Sequence, residues 1–160
     1  MPTLPRGLSA GSNGVIRCAW PGEHLDYRLY HDQEWGRPQT DDIRLYEKIC
    51  LEGFQSGLSW LTILRKREAF RRAYLGFDFE KVARFNRRSV DRLLGDVGIV
   101  RHRGMIEAAI HNARCAKEHV ADSGNLAVFL LQIAPSPRRR HKTVVPWGVQ
   151  DTTKGDKDQD

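Results

Sequence analysis

At 160 residues the chain is long enough for one domain with a single hydrophobic core. Its 40% hydrophobic and 29% charged residues read as soluble and globular, and no apolar run approaches the roughly 20 residues that a bilayer span needs. The net charge of +6 permits a polyanionic partner, because cationic side chains attract phosphates and release their counterions, but charge says nothing about catalysis.

Residues 1–14 hold Pro, Gly and Ser without an apolar stretch, so they are neither signal peptide nor anchor. A disordered leader over 1–15 and a cytoplasmic location are expected. From Ile16 the pattern reads as helix after helix. Between Asp42 and Phe54, the residues Ile43, Tyr46, Ile49, Cys50 and Phe54 are read as one stripe at helical spacing, and Thr40, Asp41 or Asp42 can cap its start. A second helix begins at Ser59, with Trp60, Ile63, Leu64 and Phe70 inward and Arg65, Lys66, Arg67, Arg71 and Arg72 outward. Asp78 and Ser89 look like further caps, ahead of Val82 and of Val90, Leu93, Leu94 and Val97.

The most regular helix runs from about Gly104 to Val120, and a short apolar segment, Leu126 to Ile133, stops at Pro135. No alternating strand pattern of useful length is visible, so the fold class is all-α, with the domain over 16–135. The basic run Ser136–Lys142 and the polar last residues predict a disordered tail over 136–160.

Three constellations can carry chemistry. Trp20, Tyr27, Tyr30, Trp35 and Trp60 crowd into one third of the chain with Glu52 among them. Flat rings can sandwich an extruded nucleobase, their faces favour a cationic one, and a carboxylate can accept hydrogen bonds from its edge. Tryptophans in a small domain are equally what a core contains. The loop Glu52–Trp60 holds two glycines between helices, so its backbone can approach a ligand closely, although a plain helix–helix turn fits the same letters. In Leu94–Gly104, glycines join two helices and the second opens on Arg101, His102 and Arg103. Cations there oppose the helix dipole but suit a phosphate held on free N–H groups, the form of a helix-hairpin-helix element; a turn with solvated basic residues is the alternative.

Cysteine usage is less informative. Cys18, Cys50 and Cys115 are far apart and odd in number, which excludes a disulfide framework and suits a reducing compartment. Cys18 and His31 have zinc-binding chemistry, but a structural site usually takes four ligands, and spacing alone favours no metal.

Taken together these residues resemble the 3-methyladenine DNA glycosylase I family. The matching text is Arg17-Cys18-Ala19-Trp20, Tyr30-His31-Asp32-Gln33-Glu34-Trp35-Gly36, Cys50 through Trp60, Gly98 through Gly104, and Asn112-Ala113-Arg114, which spans about Arg17 to Ile133. The resemblance implies a helical domain with a helix-hairpin-helix element that hydrolyses the N-glycosidic bond of 3-methyladenine in alkylated duplex DNA. It implies no redox or nucleotide cofactor, and a monomer is expected. Glu52 would read the base edge and support catalysis, Tyr30 would be its hydrogen-bonding companion, and Trp60 the stacking wall. Trp20, Tyr27 and Trp35 would line the rest of the pocket, and Leu58 would enter the space left by the flipped nucleotide. Gly98, Arg101, His102, Arg103 and Gly104 would grip the DNA backbone.

Three departures stand against this pattern. Met105 and Phe54 replace a lysine and a polar residue usual in the family. The family also carries a further helical segment whose His-x-x-x-Cys pair completes a zinc site with the equivalents of Cys18 and His31. No cysteine follows Cys115 here, so the zinc site is expected to be half present, with metal weak or absent, and the C-terminal part of the domain is expected to be missing. A weakened or inactive DNA-binding remnant, or a helical interaction domain with a basic surface, are the competing readings.

Overall fold

A computed structural model describes residues 4–133, so the expected tail over 136–160 lies outside the described residues. They divide into two compact units, one within Met1–Trp35 and one within Gly36–Pro135.

The first unit pairs β1 (Leu8–Ala10) antiparallel with β2 (Ile16–Cys18), Leu8 opposite Cys18 and Ala10 opposite Ile16, and continues into α1 (Leu25–Gln33). Part of the expected leader is therefore strand, and the mainly helical fold includes one small hairpin. The cause is local. The Gly14 N–H donates to the Gly11 carbonyl at 2.9 Å, and the Asn13 side chain accepts from the Val15 N–H at 3.2 Å. Gly14 lies at φ +73°, a backbone that glycine adopts without strain. Asn13-Gly14 is a recognised hairpin signal, outweighed in the sequence by the absence of alternating apolar residues. From β2, Arg17 grips Asp32 near the end of α1 through Nε at 2.9 Å and Nη2 at 2.8 Å. Hydrogen bonds from Arg17, and then from His31, hold the Asp32 carboxyl down at about 2.

The second unit contains α2 (Asp42–Phe54), α3 (Trp60–Ala73), a 3₁₀ turn (Leu75–Phe77), α4 (Phe79–Val82), α5 (Arg87–Gly95), α6 (Arg103–Ser123) and α7 (Leu126–Ile133). Asp41, Ser59 and Asp78 cap α2, α3 and α4, each accepting from a backbone N–H three residues on. At α5 the cap is Asn86 rather than Ser89: Asn86 accepts from the Ser89 N–H and Ser89 Oγ accepts from the Asn86 N–H, each at 3.3 Å, which is a capping box. Helix α6 ends at Gly124, φ +83°, and Asn125 and Asp42 accept from N–H groups at the start of α7.

The inner face of α2 is rotated from the expected stripe. Tyr46, Glu47, Cys50, Leu51 and Phe54 are buried, while Ile43 and Ile49 are exposed. Tyr46 Oη donates to the Ala109 carbonyl at 2.8 Å, which fixes α2 against α6, with Phe77 and Phe79 edge-on to its ring. Phe54 packs on Phe70 with ring centroids 4.6 Å apart. Burial pushes the Cys50 thiol up to about 12, so it remains a protonated, inert core group.

Glu47 is a charge in this core, only 4% exposed. Its carboxylate accepts from Arg71 Nε at 3.0 Å and from Arg44 Nη1 at 2.9 Å, and Arg71 Nη2 lies 2.8 Å away. Arg71 therefore leaves the solvated face expected for it and clamps α3 to α2. Removing one partner of a buried pair typically costs about 3–5 kcal/mol. Arg44 would still hold one oxygen, so Arg71→Ala should cost about 3 kcal/mol, the lower end of that range, read as a fall in the urea midpoint at unchanged slope.

Candidate nucleobase and DNA site

The first unit gathers the N-terminal aromatic residues. Trp20 lies at the centre, with ring centroids 4.7 Å from Tyr27, 6.4 Å from Tyr30, 5.2 Å from His31 and 5.4 Å from Trp35. Tyr27, Tyr30 and His31 come from α1, whose spacing turns them toward one another. Tyr30 is buried, whereas Trp35 is 49% exposed. Much of the ring surface is thus spent within the cluster, while about half of Trp35 faces solvent.

His31 stacks on Trp35 at 5.4 Å and places Nδ1 2.9 Å from Asp32 Oδ1. Its Nε2 is buried and has no hydrogen-bond partner among the described residues. A carboxylate on one ring nitrogen and an orphaned nitrogen on the other is the arrangement of a metal-ligating imidazole. Cys18 is a free, part-buried thiol on β2. These two residues fit zinc in donor type, but no group of three or more candidate ligands occurs among the described residues.

The second unit brings Glu52 and Trp60 together through a residue that the sequence reading left out. Lys48 stands one turn before Glu52 on α2, and its Nζ is 2.7 Å from Glu52 Oε1 and 3.7 Å from the centroid of the Trp60 ring. Trp60 opens α3 and is buried; the Glu52 side chain is 51% exposed. Between them the chain turns through Gly57, φ +76°, and the exposed Leu58. The signal for Lys48 was available as a Lys–Glu pair four apart on one helix.

The turn between α5 and α6 is held more tightly than a solvated loop. Asp96 Oδ1 accepts from the Gly98 N–H at 2.8 Å, and Lys66 of α3 donates to the carbonyls of Val97 at 3.3 Å and Gly98 at 3.2 Å. A Cβ on Gly98 would lie 2.9 Å from the Ala69 Cβ, so this glycine serves the close approach of the turn to α3. Ile99 is buried beside it. His102 caps α6, its Nδ1 accepting from the Met105 N–H at 3.2 Å, which occupies one of the N–H groups expected to meet phosphate. Arg103 makes long contacts to Asp91 at 3.4 Å and Glu107 at 3.5 Å, both exposed and weak. Arg101 and Gly104 are exposed, and Arg101 has no ion-pair partner among the described residues. Lys66 is a second residue missed from the sequence, where it read as part of an outer basic face.

No helix among the described residues is long and apolar enough to cross a membrane. Residues 20–155 match the family model for methyladenine glycosylases, so the match runs past the Ile133 limit of the motif resemblance. A DNA-3-methyladenine glycosylase 1 of Escherichia coli is 53% identical over 98 residues, covering 61% of this chain and 52% of that protein. A DNA-3-methyladenine glycosylase of Haemophilus influenzae is 48% identical over 100 residues, covering 62% and 54%. The crystal structure of a 3-methyladenine DNA glycosylase I variant in complex with 3-methyladenine superposes with a TM-score of 0.70 at 36% identity, covering 72% of this chain and 62% of that one. The chain spans about half the length of the two relatives that it matches. With the family model matched over most of its length, the chain belongs to the methyladenine glycosylase family.

Proposed function

We propose that the chain is a monofunctional DNA glycosylase that excises 3-methyladenine from alkylated duplex DNA, as a cytoplasmic monomer. The observation that carries this reading is the face built by Trp60 and Glu52, on which a cation already sits, with Nζ 3.7 Å from the ring centroid and 2.7 Å from the carboxylate. An electron-rich ring and a carboxylate converging on one positive charge suit a base that carries a positive charge, and N3-methylation of adenine in DNA creates such a base.

The charge also makes the chemistry easy. As the bond to C1′ breaks, its electron pair goes to the ring and the base departs as neutral 3-methyladenine. The sugar becomes an oxocarbenium-like cation that a water molecule captures at C1′, releasing a proton. Glu52 stabilises that developing charge and Trp60 supplies the stacking face. Leu58 fills the stack vacated by the extruded nucleotide. Normal adenine, neutral and firmly bonded, gains little from either group.

Excision is tested with Glu52→Gln, which keeps the shape and removes the charge. Enclosed electrostatic groups are worth on the order of 100-fold in rate, but half of this carboxylate faces solvent, so single-turnover excision of 3-methyladenine should slow by about tenfold. DNA binding should stay close to that of the parent, and no strand cleavage should appear. Excision at the parental rate would remove Glu52 from the reaction.

The α5–α6 turn acts in this reading as a helix-hairpin-helix phosphate grip, with Arg101 and Arg103 as its cations and Gly98 and Gly104 letting the backbone approach. Charge reversal at both arginines should weaken DNA binding and lower the slope of log K against log salt by about 2, since each phosphate contact contributes roughly 0.9. An unchanged slope would show that the turn does not meet phosphate.

For the metal, Cys18 and His31 would hold zinc from β2 and α1, and zinc there would supply structural cross-linking of the first unit. Two protein ligands bind zinc too weakly to contribute the folding energy of a four-ligand site. Purified protein should carry well under one equivalent of zinc, and a chelator should leave its melting temperature unmoved. Tightly held stoichiometric zinc would mean that further residues complete the site.

A further inference from the structure

We propose that Lys48 is the resident ligand of the base-binding face: its ammonium fills the place of a nucleobase on Trp60 and Glu52 and must swing out before a base can stack there. The inference rests on the reading of Trp60 and Glu52 as base-binding groups. Stacked aromatic atoms approach to about 3.5–4.0 Å. The Lys48 Nζ, 3.7 Å from the Trp60 centroid, lies at the height a stacked base would take. Base and ammonium therefore exclude each other on that face.

The same nitrogen lies 2.7 Å from Glu52 Oε1, so it also holds the carboxylate that the base would use. Its way out is open. The Lys48 side chain is 44% exposed, its unbranched stem can carry the charge into water, and a compact ammonium is readily rehydrated. The pair contributes little to the helix itself, because lysine preceding glutamate by four residues is the less favourable order on an isolated helix. Lys48 thus keeps the carboxylate neutralised and the indole face covered, and every base that stacks there does so against the contacts Lys48 gives up.

Isothermal titration calorimetry with free 3-methyladenine tests this on the full chain, comparing the parent with Lys48→Met and Lys48→Arg. Methionine keeps most of the stem and removes the charge, and the half-exposed position tolerates it. Lys48→Met should bind the base about tenfold more tightly, equivalent to about 1.4 kcal/mol, with Lys48→Arg close to the parent. Added salt should strengthen binding by the parent, because it screens the ion pair that must break, and should leave the methionine variant unaffected. Equal or weaker binding by Lys48→Met, or equal tightening by Lys48→Arg, would overturn the proposal and leave the base-binding reading standing. Absence of binding in the parent and both variants, with helical circular dichroism intact, would overturn both.

Discussion

The second unit depends on a buried carboxylate that cannot be left alone. Glu47 sits at 4% exposure on the inner face of α2, where an unpaired charge would be prohibitive, so two guanidinium groups must reach it. Arg44 comes from the same helix, but Arg71 comes from α3, and its forked contact fixes the separation and rotation of the two helices. Lys48 and Glu52 follow Glu47 on α2, and Trp60 opens α3. The distance of Lys48 from the indole depends on that clamp, whereas its distance from Glu52 is set within α2 itself. A hydrophobic pair in its place would hold the helices together without dictating their rotation so narrowly.

A cation defines the face that results. Neither the indole nor the carboxylate is unusual alone, and a half-exposed ion pair contributes little to stability. Their convergence on one ammonium shows that both groups attract positive charge. The proposed function places on such a surface a base that alkylation has already charged and labilised.

The α5–α6 turn shows the same coupling of packing to function. Gly98 lacks a Cβ because α3 passes too close, and Lys66 of α3 binds the turn's carbonyls. The grip proposed for phosphate is therefore braced against the helix that carries Trp60. The His102 cap adds a constraint of its own: by taking the Met105 N–H it fixes the start of α6 and leaves Arg101, just outside the helix, as the freer cation.

Much of this was legible in the residues alone. Hydrophobic spacing and side-chain caps located α2, α3, α4 and α6 closely, and the bounds of α7 were met, because helix periodicity and capping are properties of short stretches of chain. The motifs of the Glu52–Trp60 loop and the glycine turn identified the family for a similar reason: several unusual local choices occur in one order. What the sequence could not decide was which side of each helix faces what. Ile43 and Ile49 carry the right letters for a core face, yet α2 is turned so that Glu47 is buried instead, and that rotation depends on Arg71, 24 residues away. The placement of Lys48 on Trp60, of Lys66 on the turn and of Tyr46 on Ala109 was hidden for the same cause. Each joins helices distant in sequence, and only tertiary packing determines which long side chain reaches which partner.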